Sequence, residues 1–240
     1  MNILVTGVSK GLGLEIAKKL LEENICVFGI SRSQTESIVE LETEFPNLFK
    51  WKSFDLENID DIRDSLFKTW IGLKTPIQGL VNNAALAYDD IATNADLTSI
   101  EQMFKVNVYA PIMLSKYAIR QMLLHNVQGS LVHISSISVH TGYKGLSMYA
   151  SSKGALEAYS KNIAREWGEK GIRSNCLVAG FMETEMSGSL TENQKTKIYR
   201  RTSLKKPVSI QSVSETVSFL LSNKSESISG QKIFVDNGTI

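Results

Sequence analysis

What most limits the fold of this 240-residue chain is how it begins. Asn2-Ile-Leu-Val-Thr6 is a short β-type run that passes at once into Gly7-Val-Ser-Lys-Gly11-Leu-Gly13. An amphipathic stretch follows and reads as a helix to about Glu23. A strand, a glycine turn and a helix N-terminus in that order make a cradle for phosphate. Glycine lets the backbone approach the anion, and unpaired N–H groups at the helix start point toward it. The spacing is Gly-x-x-x-Gly-x-Gly rather than the commonest dinucleotide fingerprint, and a plain tight turn is the competing reading. Its position directly after the first strand favours the cradle.

Six more β-type runs follow, at 25–30, 49–54, Gly79–Asn82, 130–135, Ile172–Ala179 and Lys232–Val235. Helical stretches separate them, near 35–45, 58–72, 97–126, 149–167 and 209–221. Seven strands alternating with helices predict an α/β fold: one domain over residues 1–240 with a doubly wound parallel sheet flanked by helices. Its ligand belongs beyond the carboxyl ends of the strands. From 181 to 206 the pattern loosens, as expected of a lid. Lys195, Lys197, Arg200, Arg201, Lys205 and Lys206 crowd that region. They form either a solvated helix face or an attraction for an acidic substrate or carrier.

Composition excludes several classes. With 26 basic and 25 acidic residues, the charge gives no support to nucleic-acid binding. No apolar run reaches the length of a membrane span. Cys26 and Cys176 lack metal-type spacing and read as buried free thiols suited to a reducing cytoplasm. The first strand starts at residue 2, with no leader pattern before it, so a soluble cytoplasmic protein without a metal is expected.

The second strand ends in Ser31-Arg32-Ser33, where an NAD site normally carries a carboxylate for the ribose 2′-hydroxyl. Here Arg32, with Lys10 in the glycine turn, suits a 2′-phosphate, so NADP(H) is expected ahead of NAD. The competing reading is two exposed surface charges. Asp55-Leu56 closes the third strand, where Asp55 either accepts from an adenine amino group or caps the next helix. After the fourth strand, Asn82-Asn83-Ala84-Ala85 lets backbone pass close to a flat ligand, or simply forms a turn.

Tyr149 and Lys153 stand four apart at the start of a helix and so share a face. A lysine cation beside a phenol favours the phenolate, and the pair is expected to bring Tyr149 toward the working pH range. Ser136, at the end of a buried strand, is placed to hold a substrate oxygen against Tyr149. An ordinary amphipathic pair is the alternative. Asn107 lies inside a helical stretch where asparagine is a poor fit, which hints at a local irregularity. His133 and His140 have no evident acidic partner and read as structural or solvent-facing.

Taken together and in order, these motifs resemble the short-chain dehydrogenase/reductase family over essentially the whole chain. The matching residues are Thr6-Gly7-x-x-x-Gly11-x-Gly13, Asp55, Asn82-Asn83-Ala84-Ala85, Asn107, Ser136 and Tyr149-x-x-x-Lys153. The resemblance implies a Rossmann-like fold and a catalytic tetrad of Asn107, Ser136, Tyr149 and Lys153. It implies a cofactor site of Gly7, Ser9, Lys10, Gly11, Leu12, Gly13, Ser31, Arg32, Asp55, Leu56, Asn83, Ala84, Ala85, Tyr149, Lys153, Gly180, Met182 and Thr184. It further implies an NADPH-dependent carbonyl reductase assembled as a homotetramer or homodimer. The segment 175–186 and the ending Ser229-Gly-Gln-x-x-x-Val-Asp236-Asn-Gly238 resemble the β-ketoacyl carrier-protein reductases, for which Lys170 is the candidate basic residue at the site entrance. Ala179, Ala85 and Asn237 depart from the family's usual proline and glycines and are expected to loosen the backbone locally. The substrate is then a 3-oxoacyl thioester, a keto-sugar or another small ketone. A dinucleotide-binding sensor without catalysis is the remaining alternative.

Overall fold

Every strand pair in the sheet is parallel. The computed structural model describes residues 1–184 and 191–240. In chain order it runs β1 (Asn2–Thr6), α1 (Gly11–Glu22), β2 (Cys26–Ser31), α2 (Glu36–Glu44) and β3 (Phe49–Ser53). A 3₁₀ turn at Ile59–Asp61 and a π-helical segment at Ile62–Trp70 lead to β4 (Gly79–Asn82). Then come α3 (Leu97–Phe104), α4 (Ala110–Leu124), β5 (Gly129–Ser136), α5 (Ser138–Thr141) and α6 (Ser147–Trp167). Next are β6 (Ile172–Ala179), α7 (Glu192–Tyr199), α8 (Ile210–Leu221) and β7 (Lys232–Val235). Strand order is β3-β2-β1-β4-β5-β6-β7, so the winding reverses between β1 and β4. The doubly wound α/β fold expected from the alternation of elements is the fold found.

Strand composition explains the three layers. A parallel sheet covered on both faces needs apolar residues on both sides of each strand. Ile3 and Val5 of β1 accordingly join one core with α1, α2 and α8, through Ile16, Leu20, Ile38, Leu41, Val213 and Val217. Leu4 points to the other core, built from Leu66, Phe67, Leu114, Ala118, Met122 and Ile163.

Two departures from helical regularity have visible causes. The predicted 97–126 stretch is a broken pair, its halves joined by a π-helical turn at Lys105–Tyr109 that holds Asn107. Pro111 sits in the first turn of α4, directly after that turn, where its missing N–H costs least. The predicted 58–72 helix is instead a 3₁₀ turn running into a π-helical segment, with Ile62, Leu66 and Phe67 still facing the core.

Asn237 corrects the expectation of a loosened backbone. It adopts φ 57°, the left-handed conformation that asparagine tolerates better than most residues. Its Nδ2 donates to the carbonyls of Lys206 (3.0 Å) and Pro207 (2.9 Å), which ties the chain end to the segment before α8. Of the expected 181–206 lid, residues 185–190 lie outside the described residues. The remainder includes α7, which starts with a capping box between Thr191 and Gln194.

Candidate active site

Where the winding reverses, the strands' carboxyl ends open into a cleft of about 940 Å³. Thr6 at the end of β1 locks its floor. The Thr6 hydroxyl accepts from the backbone N–H of Asn83 (3.0 Å) and of Ala84 (2.9 Å), and Asn83 Nδ2 donates to the Thr6 carbonyl (2.9 Å). Asn83 is thus a brace between β1 and β4.

The glycine turn along this floor fits a dinucleotide phosphate. Gly7 has φ 77°, a conformation that L side chains rarely adopt. A Cβ on Gly13 would lie 2.1 Å from the Gly7 carbonyl oxygen and 2.5 Å from Asn83 Nδ2, so only glycine lets the turn close on α1. The N-cap residue, Lys10, supplies no side-chain cap to α1, and the N–H groups of a helix's first turn are the donors a phosphate uses. Gly13→Ala is expected to cost at least ~2 kcal/mol, since the clash is with backbone that cannot rotate away, and to weaken dinucleotide binding in parallel. Urea unfolding and a cofactor fluorescence titration on the same variant check both effects.

All eighteen residues of the expected cofactor set line this cleft, as does Ser136. On the β2 side, Trp51 Nε1 donates to Ser31 Oγ (2.8 Å) and Ser53 Oγ donates to the Arg32 carbonyl (2.7 Å), so β3 pins the backbone that presents Arg32. Glu36 falls in the first turn of α2 and takes no part in the lining. Asp55 Oδ1 accepts from the Glu57 N–H (3.0 Å), a local turn bond, while its residue still borders the cleft.

Tyr149, Ser136 and Lys153 open on the same cleft. Ser136 Oγ is set by Ser138, whose N–H and hydroxyl both donate to it, at 3.2 and 3.0 Å. Lys153 is 2% exposed; its Nζ donates to the Ile134 carbonyl (2.8 Å) and lies 5.8 Å from the centre of the Tyr149 ring. Burial brings the Lys153 pKa down to about 8. The expected acidification of Tyr149 is not what the structure shows. Burial, helped by the negative charge of Asp89, pushes its pKa up to about 12. The reason is desolvation of the buried phenol, while the Lys153 ammonium is directed at the Ile134 carbonyl.

Asn107 stands apart from the cleft lining. It is 0% exposed, accepts from the Leu86 N–H (2.8 Å), and donates to the Leu86 carbonyl (2.8 Å) and to Ser152 Oγ (3.0 Å). Ser152 in turn donates to the Tyr149 carbonyl (2.7 Å). The side chain therefore couples the loop after β4 to the first turn of α6, and the π-helical turn is what aims it there.

Other expectations divide. His133 is wholly buried between Asn82 Nδ2 (3.1 Å) and Ser174 Oγ (3.3 Å), and burial, with the nearby Lys153 charge, lowers its pKa to about 4; it is structural, as expected. His140 does have an acidic partner, contrary to expectation: its Nε2 is 3.0 Å from Glu157 Oε1. Glu157 also accepts from Ser135 (2.6 Å) and pairs with Lys232 (3.5 Å), a knot the linear spacing of these residues does not reveal. Cys176 is buried, and burial raises its pKa to about 12, whereas Cys26 is only partly covered.

Lys170 lies in the 3₁₀ turn just before β6 begins at Ile172, whereas the cleft lies beyond that strand's other end at Ala179. Eight strand residues span roughly 26 Å, so Lys170 does not flank the site entrance. The structure instead puts Asp89, Tyr143, Lys144, Ile198 and Arg201 around the cleft that Tyr149 lines. Among the described residues no helix is long and apolar enough to cross a membrane, and no group of His, Cys, Asp and Glu side chains is placed to hold a metal ion.

A family model described as enoyl-(acyl carrier protein) reductase matches residues 7–239. Carbonyl reductase [NADPH] 2 of Sus scrofa is 32% identical over 240 residues, which span 99% of this chain and 96% of that protein. The 3-oxoacyl-[acyl-carrier-protein] reductase of Buchnera aphidicola subsp. Acyrthosiphon pisum (strain APS) is 31% identical over 236 residues, 98% and 95% of the two chains. Among solved structures, a 4-hydroxyisoleucine dehydrogenase mutant complexed with NADH and succinate has the same fold, with a TM-score of 0.92 at 24% identity over 100% of this chain and 98% of that one. With its parallel sheet, glycine cradle and Tyr149–Lys153 pair on one cleft, the chain belongs to the short-chain dehydrogenase/reductase family, an oxidoreductase family that uses a nicotinamide dinucleotide.

Proposed function

We propose that this protein is an NADP(H)-dependent carbonyl reductase that converts a ketone to an alcohol. The observation that carries the reading is the shared cleft: a phosphate cradle at Gly7–Gly13 and the Ser136–Tyr149–Lys153 cluster border one cavity at the reversal of the sheet. Bound there, the dinucleotide supplies the hydride. The chain's part is to place and protonate the substrate. Ser136, its hydroxyl fixed by Ser138, holds the carbonyl oxygen. Tyr149, with a pKa of about 12, carries its proton throughout the neutral range and gives it to the developing alkoxide. The Lys153 cation then stabilises the phenolate left behind. Asn107 acts as a positioning residue through Ser152 and the Tyr149 backbone. The cofactor would be held by the glycine turn, by Asn83–Ala85, by Lys153 at the ribose with the Tyr149 ring packed beside it, and by Gly180, Met182 and Thr184. Oxidation of NADPH followed at 340 nm across a set of ketones tests the reading; no turnover with any of them would sink it.

The NADP(H) preference rests on Arg32, exposed on the rim of the cleft with its backbone pinned by Ser53, and on the absence of a carboxylate at that strand end. An exposed charge-assisted contact to a 2′-phosphate is worth about 1.4 kcal/mol, or roughly tenfold. Arg32→Ala is therefore expected to raise the NADPH dissociation constant about tenfold and to leave that for NADH within about twofold. Equal weakening of both cofactors would remove the basis for the preference.

A further inference from the structure

The cleft carries charge of both signs, and of these charges it is Asp89 that acts on Tyr149. Asp89 and Asp90 come from the loop after β4, Lys144 from the loop before α6, and Arg201 from the segment after α7. Asp90 is committed to its own loop, accepting from the Ile91 N–H (2.7 Å) and from Asn94 Nδ2 (3.3 Å). The Asp89 carboxylate makes no hydrogen bond among the described residues. It is close enough to Tyr149 to disfavour the phenolate, so the negative charge lies at the reacting end. Arg201 is held differently from an ordinary surface arginine. Its guanidinium carbon lies 5.5 Å from the centre of the Tyr143 ring, and among the described residues no carboxylate pairs with it. The ring contact holds the guanidinium beside Tyr143, and the N–H donors of a guanidinium can receive a carboxylate through two parallel bonds.

Resting on the carbonyl reductase reading, we propose that the substrate is a small keto acid whose free carboxylate docks on Arg201 while its ketone faces Tyr149. The charges set the direction of binding: Asp89 repels a carboxylate entering the reacting end, and Arg201 with Lys144 attracts it. An uncharged ester or a carrier-linked thioester lacks the group that Arg201 is arranged to bind. The fork of Arg201 thus selects the free acid.

The test measures kcat/KM with NADPH for acetoacetate and levulinate, for their ethyl and methyl esters, and for the uncharged thioester of acetoacetate with N-acetylcysteamine. Wild type and Arg201→Gln are compared, the variant's folding being checked by its melting temperature. The proposal expects wild type to favour the acids by at least tenfold, and Arg201→Gln to abolish that preference through KM rather than kcat. Preference for the esters or the thioester, or a preference for the acids that survives in Arg201→Gln, overturns it. Should no ketone be reduced by wild type, the carbonyl reductase reading falls and takes this one with it; reduction of the esters alone overturns only the keto-acid assignment.

Discussion

Replacing Tyr149 with Phe is expected to lower kcat by about two to four orders of magnitude, the usual worth of a placed proton donor. NADPH affinity should stay within about twofold. The variant removes one oxygen and little else. No hydrogen bond to the Tyr149 hydroxyl is formed among the described residues, so its loss leaves no buried partner unsatisfied, and the ring keeps its place over Lys153. Stability should therefore change by less than ~1 kcal/mol. The pKa of about 12 adds a directional consequence. At pH 7 a phenol of that pKa is almost wholly protonated, which serves reduction; alcohol oxidation needs the phenolate, present in only about 1 part in 10⁵. Alcohol oxidation should thus gain with rising pH while Tyr149 itself imposes no upper limit on ketone reduction below pH 10. Stopped-flow turnover of Tyr149→Phe and wild-type pH profiles in both directions check this. Undiminished turnover in the variant would end the assignment of Tyr149 as the acid.

Much of this site is legible in the sequence. The four-residue spacing of Tyr149 and Lys153 on a helix, the termination of β1, β4 and β5 at Thr6, Asn82 and Ser136, and the place of Asp55 just past the end of β3 follow from periodicity and chain order. Strand alternation then places those ends at one edge of a parallel sheet. The misplaced inferences concern direction and environment, which periodicity does not encode. Helical spacing shows that Lys153 shares a face with Tyr149, not that its ammonium turns to the Ile134 carbonyl. It gives no measure of desolvation, which sets the sign of the Tyr149 shift. The Glu157 knot joins residues from β5, α5, α6 and β7, with no local signal. Asp89, Tyr143 and Lys144 sit in loops without a fixed register, and only the fold brings them to one cleft with Arg201. Asn107 is the instructive intermediate: its low helical propensity flagged an irregularity, and the π-helical turn is that irregularity.

Lys153→Met is expected to cut kcat at least a hundredfold and yet to leave the protein at neutral pH as stable as wild type, or more so. A fully buried ammonium is unfavourable unless compensated, and here the compensation is one carbonyl. The lysine pKa is about 8 in the folded protein against 10.5 for the free side chain. Below pH 8 the group is charged in both states, so the whole penalty is present, on the order of 3 kcal/mol. Between pH 8 and 10.5 the unfolded chain holds more protons than the folded one, and stability from this group rises with pH. Methionine removes the charge and fills similar volume at the cost of leaving the Ile134 carbonyl unpaired, about 1–3 kcal/mol. The two terms nearly offset at pH 7. What the variant loses without compensation is the rise in stability above pH 8. Urea unfolding of both proteins at pH 7 and pH 9.5 reads the difference directly: the gap in favour of methionine should shrink or invert at the higher pH. A variant strongly destabilised at pH 7 with an unchanged pH slope would mean that Lys153 is stabilising where it lies. The charged lysine would then not be a group held against the preference of the fold for the sake of the chemistry at Tyr149.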